Sequence, residues 1–266
     1  MTVRQRLHEI TELNITKRLT QMKAGQLDEY IQALNLFVDS FPAQEADLRI
    51  AIENADNIAI SKCLAAIREM LVSIYADDMA AECLKQIAAI KNTKPEKLEV
   101  YLTHLLTSAA TLSIDIQMAV FADQNCEEAP LSDNSTDGEQ SEQSVTEQSV
   151  KSILAVDDRP FHLNTLKNCL QETPYKLTCV ASGNAALSFL QNRSPDLFIL
   201  DIEMPEMDGY ELAEKIKASG RSAPIIFLTA NSTKEYVMRA IKIGAADFIV
   251  KPISKKQVLE RIERLI

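Results

Sequence analysis

No apolar run in this 266-residue chain comes near the ~20 residues that a helix needs to cross a bilayer, which excludes a helical membrane span. The amino terminus carries charges and has no apolar core, so it is not a secretory signal. Cysteine is scarce and oddly placed. Cys63, Cys83, Cys126, Cys169 and Cys179 are five in number, widely spaced and without a CxxC pair. A disulfide framework and a cysteine metal site are both poor readings of this pattern, and reduced thiols in a cytosolic protein are expected. Basic residues are missing from 122–150, and neither flanking part has the basic face of a nucleic-acid binder.

What the chain does have is 46% hydrophobic and 25% charged residues, enough to bury a real core over one or two domains. Its net charge of −10 is uneven. Residues 1–121 carry a net −4, residues 122–150 a net −8 and residues 151–266 a net +2. The middle stretch, ADQNCEEAPLSDNSTDGEQSEQSVTEQSV, repeats EQS at Glu139, Glu142 and Glu147 and has no aromatic residue. Such a composition cannot offset the entropy of ordering, and its like charges extend it. We expect a flexible acidic linker over 122–150 joining two domains that move independently.

Residues 1–121 read as helices. Glycine occurs there once, at Gly25, and proline only at Pro42 and Pro95, each marking a break. Apolar residues recur at helical spacing at Leu27, Tyr30, Ile31, Leu34, Phe37 and Phe41, then at Ile60, Leu64, Ile67, Leu71 and Ile74. They recur again from Leu98 to Ile116, and a further helix fits Asp77 to Ile90. Thr93 with Glu96 forms a capping-box pattern around Pro95. Amphipathic helices with short connections predict a separate all-α antiparallel bundle.

From residue 151 the pattern changes to alternating strand and helix. Apolar runs end in Asp157-Asp158, in Asp201, in Thr229 and in Lys251-Pro252, with helical patterns between them. Five such units predict an α/β doubly wound five-stranded parallel sheet covered on both faces. Right-handed crossovers bring all strand carboxyl ends to one edge, where open α/β sheets place their chemistry. Asp157, Asp158, Asp201, Thr229 and Lys251 would meet there. Carboxylates that close repel one another and call for a hard divalent cation, for which Mg2+ is the natural choice. One carboxylate could then attack a phosphoryl group whose charge is balanced by the metal, Lys251 and the Thr229 hydroxyl.

The motifs VDD at Val156–Asp158, LDIEMPEMDG at Leu200–Gly209, LTA at Leu228–Ala230 and GAADFIVKP at Gly244–Pro252 resemble those of response-regulator receiver domains. The resemblance covers residues 151–266. It implies a flavodoxin-like sheet of order 2-1-3-4-5 with Asp201 as phosphoacceptor. It further implies Mg2+ held directly by Asp158 and the Glu203 backbone carbonyl, and by Asp157 mainly through water. Thr229 and Lys251 would bind phosphoryl oxygens, Phe248 would be an aromatic switch turning inward on phosphorylation, and the Lys251-Pro252 bond would be cis. Glu203 and Asn231 would tune phosphate lifetime.

The helical half, over residues 10–118, resembles histidine-phosphotransfer domains in spacing and pattern. The family's phosphorylatable histidine falls at Ala65, with Arg68 where its lysine would be and Glu69 where its glycine would be. At about 100° per residue, Ala65 lies well off the apolar face and is expected to be exposed. Lacking a nucleophile, the bundle would be a degenerate phosphotransfer domain. Of the three histidines, His104 alone offers a relay alternative, because His8 precedes the bundle and His162 belongs to the next domain.

The expected function is that of a cytoplasmic two-component response regulator. A histidine kinase or phosphotransfer protein would phosphorylate Asp201, with the outcome read through a downstream protein target or a homodimer. No nucleic acid, membrane, DNA-binding output or separate catalytic domain is expected, since the chain stops at Ile266 where the fifth receiver helix ends. The alternatives are a relay between Asp201 and His104, or a kinase-binding scaffold.

Overall fold

A computed structural model describes residues 2–90, 93, 95–121 and 150–266. Two short helices, α1 (Val3–His8) and α2 (Thr16–Gln21), precede four longer ones, α3 (Ala24–Glu53), α4 (Asn57–Ser73), α5 (Asp77–Ala89) and α6 (Pro95–Phe121). Asp56 caps α4, its Oδ1 accepting from Ile58 N and Ala59 N at 3.0 Å each. The buried stripe of α4 is Ile60, Leu64, Ile67 and Leu71, and Ala65 is exposed on the other side as its helical phase predicts. The Tyr30 hydroxyl donates to Ile74 O at 2.9 Å and ties α3 to the end of α4. Helix α6 begins at Pro95, but the cap expected around Thr93 involves residue 94, which lies outside the described residues.

The break expected at Phe41-Pro42 is absent, for α3 runs straight through Pro42. An interior proline loses one helix hydrogen bond and crowds the preceding turn, at about 3 kcal/mol. Burial on both sides offsets that. Leu34, Phe37, Val38 and Phe41 are buried before the proline, and Leu48 and Ala51 after it. Phe37 and Phe41 stack with ring centroids 5.4 Å apart.

The carboxy-terminal half follows the expected alternation: β1 (Ser152–Val156), α7 (Pro160–Leu170), β2 (Lys176–Val180), α8 (Gly183–Leu190), β3 (Leu197–Asp201), α9 (Gly209–Ala218), β4 (Ile225–Thr229), α10 (Lys234–Ile243), β5 (Asp247–Val250) and α11 (Lys255–Glu263). The strands are parallel in the order β2-β1-β3-β4-β5. Successive residues alternate between the two faces, as the strand period requires. Ile153, Ala155, Leu197, Ile199, Ile226, Leu228 and Ile249 pack with α7 and α11. Leu154, Val156, Phe198, Leu200, Phe227, Phe248 and Val250 belong to the core on the opposite face.

That second core does not stop at the receiver-like half. It is continuous with the buried residues of the helical bundle, through α6, which packs against α3 and α5 on one side and against α10 and β5 on the other. The two halves thus share a buried face. The linker expected to let them move independently, 122–149, lies outside the described residues.

The reason is the exposed edge of β5, whose unpaired backbone groups need a cover. The Gln257 amide supplies part of it. Oriented to satisfy its neighbours, it donates to Val250 O and accepts from Val250 N and from Thr111 Oγ1 of α6, all at 3.0 Å. Arg261 of α11 bridges Asp115 Oδ2 of α6 at 2.7 Å and Asp247 Oδ1 at 3.1 Å. Lys234 sits 4.8 Å from the centre of the Phe121 ring and 3.5 Å from Asp39 Oδ1.

Among the glycines, Gly209 faces the tightest constraint from backbone. A Cβ there would lie 2.1 Å from Asp201 O and 3.0 Å from Ile202 Cα, whereas at Gly25 it would meet nothing within 4 Å. Gly209→Ala should lower the unfolding free energy by about 2–3 kcal/mol in urea titration, while Gly25→Ala should be neutral or stabilising by up to about 1 kcal/mol. Equal effects at the two positions would contradict the close approach.

Candidate functional site

Every strand that contributes to the site does so at its carboxyl end. β1 runs into Asp157, β3 closes on Asp201, β4 on Thr229, and β5 is followed by Lys251. Val156 pairs with Leu200 in register, so Asp157 and Asp201 emerge side by side. Both are buried, at 0% and 1% exposure. Backbone turns set their carboxylates. Asp157 Oδ1 accepts from Arg159 N at 2.8 Å, and Asp201 Oδ1 accepts from Glu203 N at 3.4 Å.

Lys251 supplies the cation between them. Its Nζ is 2.8 Å from Asp201 Oδ1 and 3.4 Å from Asp157 Oδ2. The Lys251-Pro252 bond is cis. Burial nonetheless pushes the Asp201 carboxyl above its ordinary titration range; Lys251 opposes that rise and Asp157 adds to it. The other Asp201 oxygen, Oδ2, is buried and has no hydrogen-bond partner, and the same is true of Asp158 Oδ1. Unpartnered buried carboxylate oxygens beside each other's charge suit a hard divalent cation, so the residues present fit Mg2+.

Among the described residues, those with ligand atoms all within 4.8 Å of one another are Asp157, His162 and Asp201. Asp158, expected to bind the metal directly, is not in this trio, and the Glu203 side chain is exposed. His162 is the member that sequence reasoning missed. It stands in the first turn of α7, and its Nδ1 is 2.8 Å from Asp157 Oδ2. Its signal was its place five residues after Asp157, across the Pro160 helix start.

The Thr229 hydroxyl lies at the predicted strand end but is engaged within its own loop, donating to Asn231 O at 2.7 Å and accepting from Asn231 N at 2.9 Å. Phe248, expected to turn inward on phosphorylation, is already inside. It is 2% exposed, its ring centroid 6.2 Å from that of Phe227, on the strand that α6 covers. Ala65 and His104 are both distant in role. Ala65 is exposed on α4, and His104 lines a cleft of about 590 Å3 between α6 and the Pro252–Arg261 stretch. None of Asp157, Asp201 and Thr229 lines that cleft.

Comparison with known proteins identifies the carboxy-terminal half. Residues 153–263 match the family model described as response regulator receiver domain. The chemotaxis protein CheY of Listeria monocytogenes is 39% identical over 113 residues, covering 42% of this chain and 95% of CheY. The transcriptional regulatory protein RprY of Bacteroides fragilis is 36% identical over 121 residues, covering 45% of this chain and 50% of RprY, so the chain spans half of that relative's length. Among solved structures, Vibrio cholerae chemotaxis protein CheY4 aligns with a TM-score of 0.43 and 28% identity, covering 44% of this chain and 100% of CheY4.

The electrostatics of Asp201 set a pH dependence. Asp201 binds its proton more tightly in the folded state than in the unfolded chain. Protonated Asp201 therefore contributes stability that is complete below about pH 4 and is lost as the pH rises through the higher folded value. At pH 7 without metal, Asp201→Asn should be more stable than wild type by about 1 kcal/mol, with the difference vanishing in acid. Mg2+ at about 100 times its Kd should stabilise wild type by about 2.7 kcal/mol and Asp201→Asn much less. Thermal unfolding across pH, with and without Mg2+, reads both effects, and a wild type indifferent to Mg2+ would contradict the metal assignment.

Proposed function

The chain belongs to the response regulator receiver family, and from that membership we propose that it accepts a phosphoryl group on Asp201 from a partner histidine kinase or phosphotransfer protein. The observation that carries this reading is the Asp201 Oδ2 atom, buried and unpartnered, on a carboxylate whose Oδ1 lies 2.8 Å from the Lys251 ammonium. The ionised oxygen attacks phosphorus, a P–O bond forms, and the P–N bond of the donor phosphohistidine breaks. The bonding pair goes to the imidazole nitrogen, so Asp201 has no proton to lose. Mg2+ supplies charge neutralisation on the phosphoryl oxygens when bound at Asp157, Asp158, Asp201 and the Glu203 backbone carbonyl.

The protein's own groups do the rest. Lys251 is held 2.8 Å from Asp201 and pairs with the charge that arrives. The Thr229 hydroxyl leaves Asn231 O to donate to a phosphoryl oxygen. His162 holds Asp157 in place through its 2.8 Å contact. The amino-terminal bundle is a degenerate phosphotransfer-like domain, with exposed Ala65 at the position of the histidine, so Asp201 is the phosphorylation site. The signal is read in the cytoplasm through protein contacts and not through nucleic acid.

Incubation with acetyl phosphate and Mg2+ should add the mass of one phosphoryl group to the intact protein. Asp201→Ala should take up none, and Lys251→Met or Thr229→Ala should slow the addition by about 10²-fold. An unmodified wild type, or equal labelling of Asp201→Ala, overturns the reading.

A further inference from the structure

The cleft that His104 lines belongs to neither half of the chain alone. One wall is α6, in two adjacent rows at helical spacing: Glu99, Thr103 and Thr107, and Val100, His104 and Ser108. The other wall is the stretch from Pro252 to Arg261, which follows β5 and makes up most of α11. Thr111 and Gln257, bonded to each other, join the two walls. The volume, about 590 Å3, is within the ~300–1,000 Å3 of small-molecule sites, which favour domain junctions. Val100, 66% exposed, and Ile253 supply apolar surface.

The chemistry of the walls selects the ligand. The Thr107 hydroxyl donates to Thr103 O at 2.9 Å, and the Ser108 hydroxyl to His104 O at 3.0 Å. A hydroxyl has one proton, so both can offer a ligand only lone pairs. The charges point the same way. Arg261 is buried and already bonded to Asp115 and Asp247. Lys256 stands 3.6 Å from Glu260. Glu12 and Glu99 are exposed and have no ion pair among the described residues. We propose that this cleft binds a small organic cation, a primary ammonium carried on an apolar body. An ammonium has three protons to donate and no lone pair, which matches walls of acceptors and two unpaired carboxylates. An anion would meet lone pairs and carboxylates of its own sign. The apolar body would cover Val100 and Ile253. Because both halves form the walls, a bound cation stabilises their junction by mass action. The cleft holds none of Asp157, Asp201 and Thr229, so its ligand is independent of phosphorylation there.

The test uses the full chain with phenethylamine as the probe, phenylethanol as its uncharged twin and phenylacetate as the anion. Backbone NMR shifts locate binding, and calorimetric titration measures it. The amine should shift the amide resonances of residues 103–108 and 253–257. It should bind at least about tenfold more tightly than the alcohol, and phenylacetate should bind more weakly still. Glu99→Gln and Glu12→Gln, both at the surface, should each weaken the amine about two- to fivefold and leave the alcohol unchanged. Added salt should weaken the amine and not the alcohol. Failure of the amine to bind, equal binding of all three probes, amine shifts confined to other parts of the chain, or indifference to both Glu substitutions overturns the cation site. Phosphoryl addition at Asp201 is read separately by mass, so either reading can fail while the other stands.

Discussion

Two carboxylates, Asp157 and Asp201, leave neighbouring strands at the same level and are buried there. This is the constraint on which the rest of the site depends. In a parallel sheet the register of β1 and β3 leaves them no choice of position. Their mutual repulsion in a poorly solvated pocket is strong. Lys251, delivered from the far edge of the sheet, relieves part of it. Burial keeps Asp201 above its ordinary titration range, with Asp157 adding to the rise, and Oδ2 is buried without a partner. A site so arranged fits a divalent cation.

The second organising feature is α6, a helix with two buried sides. One side completes the amino-terminal bundle, and the other closes the β5 edge of the sheet. A 27-residue helix is about 40 Å long at 1.5 Å per residue, ample to serve both. The polar residues on its receiver side, Thr111, Asp115 and Gln117, each find a partner on β5-flanking elements. Burial raises the Asp115 carboxyl above its usual range, with the Arg261 guanidinium opposing, which marks this contact as interior and not as a surface ion pair. The bundle is thus part of the environment of the receiver and of its Thr229 loop.

Much of this was legible in the residues. The strand ends at Asp157, Asp201, Thr229 and Lys251 lie where apolar runs meet turn residues, and their convergence follows from crossover handedness. The exposure of Ala65 followed from helical phase alone. Pro42 was misleading because helix-breaking is a local tendency of about 3 kcal/mol, and buried aromatic and aliphatic contacts on both sides of it are larger in sum. His162 was invisible because a lone histidine five residues from an aspartate has no pattern; only the start of α7 turns it back toward Asp157. The burial of Phe248 was not legible, since nothing in its own strand announces that another helix covers it.

By itself the sequence determined the α/β alternation, the arrival of Asp157, Asp201 and Lys251 at one sheet edge and the helical nature of the described part of the first 121 residues. Each depends on periodicity, on turn residues, or on a rule of chain handedness that acts over a single βα unit. Only the tertiary structure decided that α6 lies against β5, that Gln117 grips the Thr229 loop, and that Arg261 joins Asp115 to Asp247. Those contacts link residues more than a hundred positions apart. They are selected by the fit of two surfaces and by the need to satisfy an exposed strand edge, and neither is written in the spacing of residues along one segment.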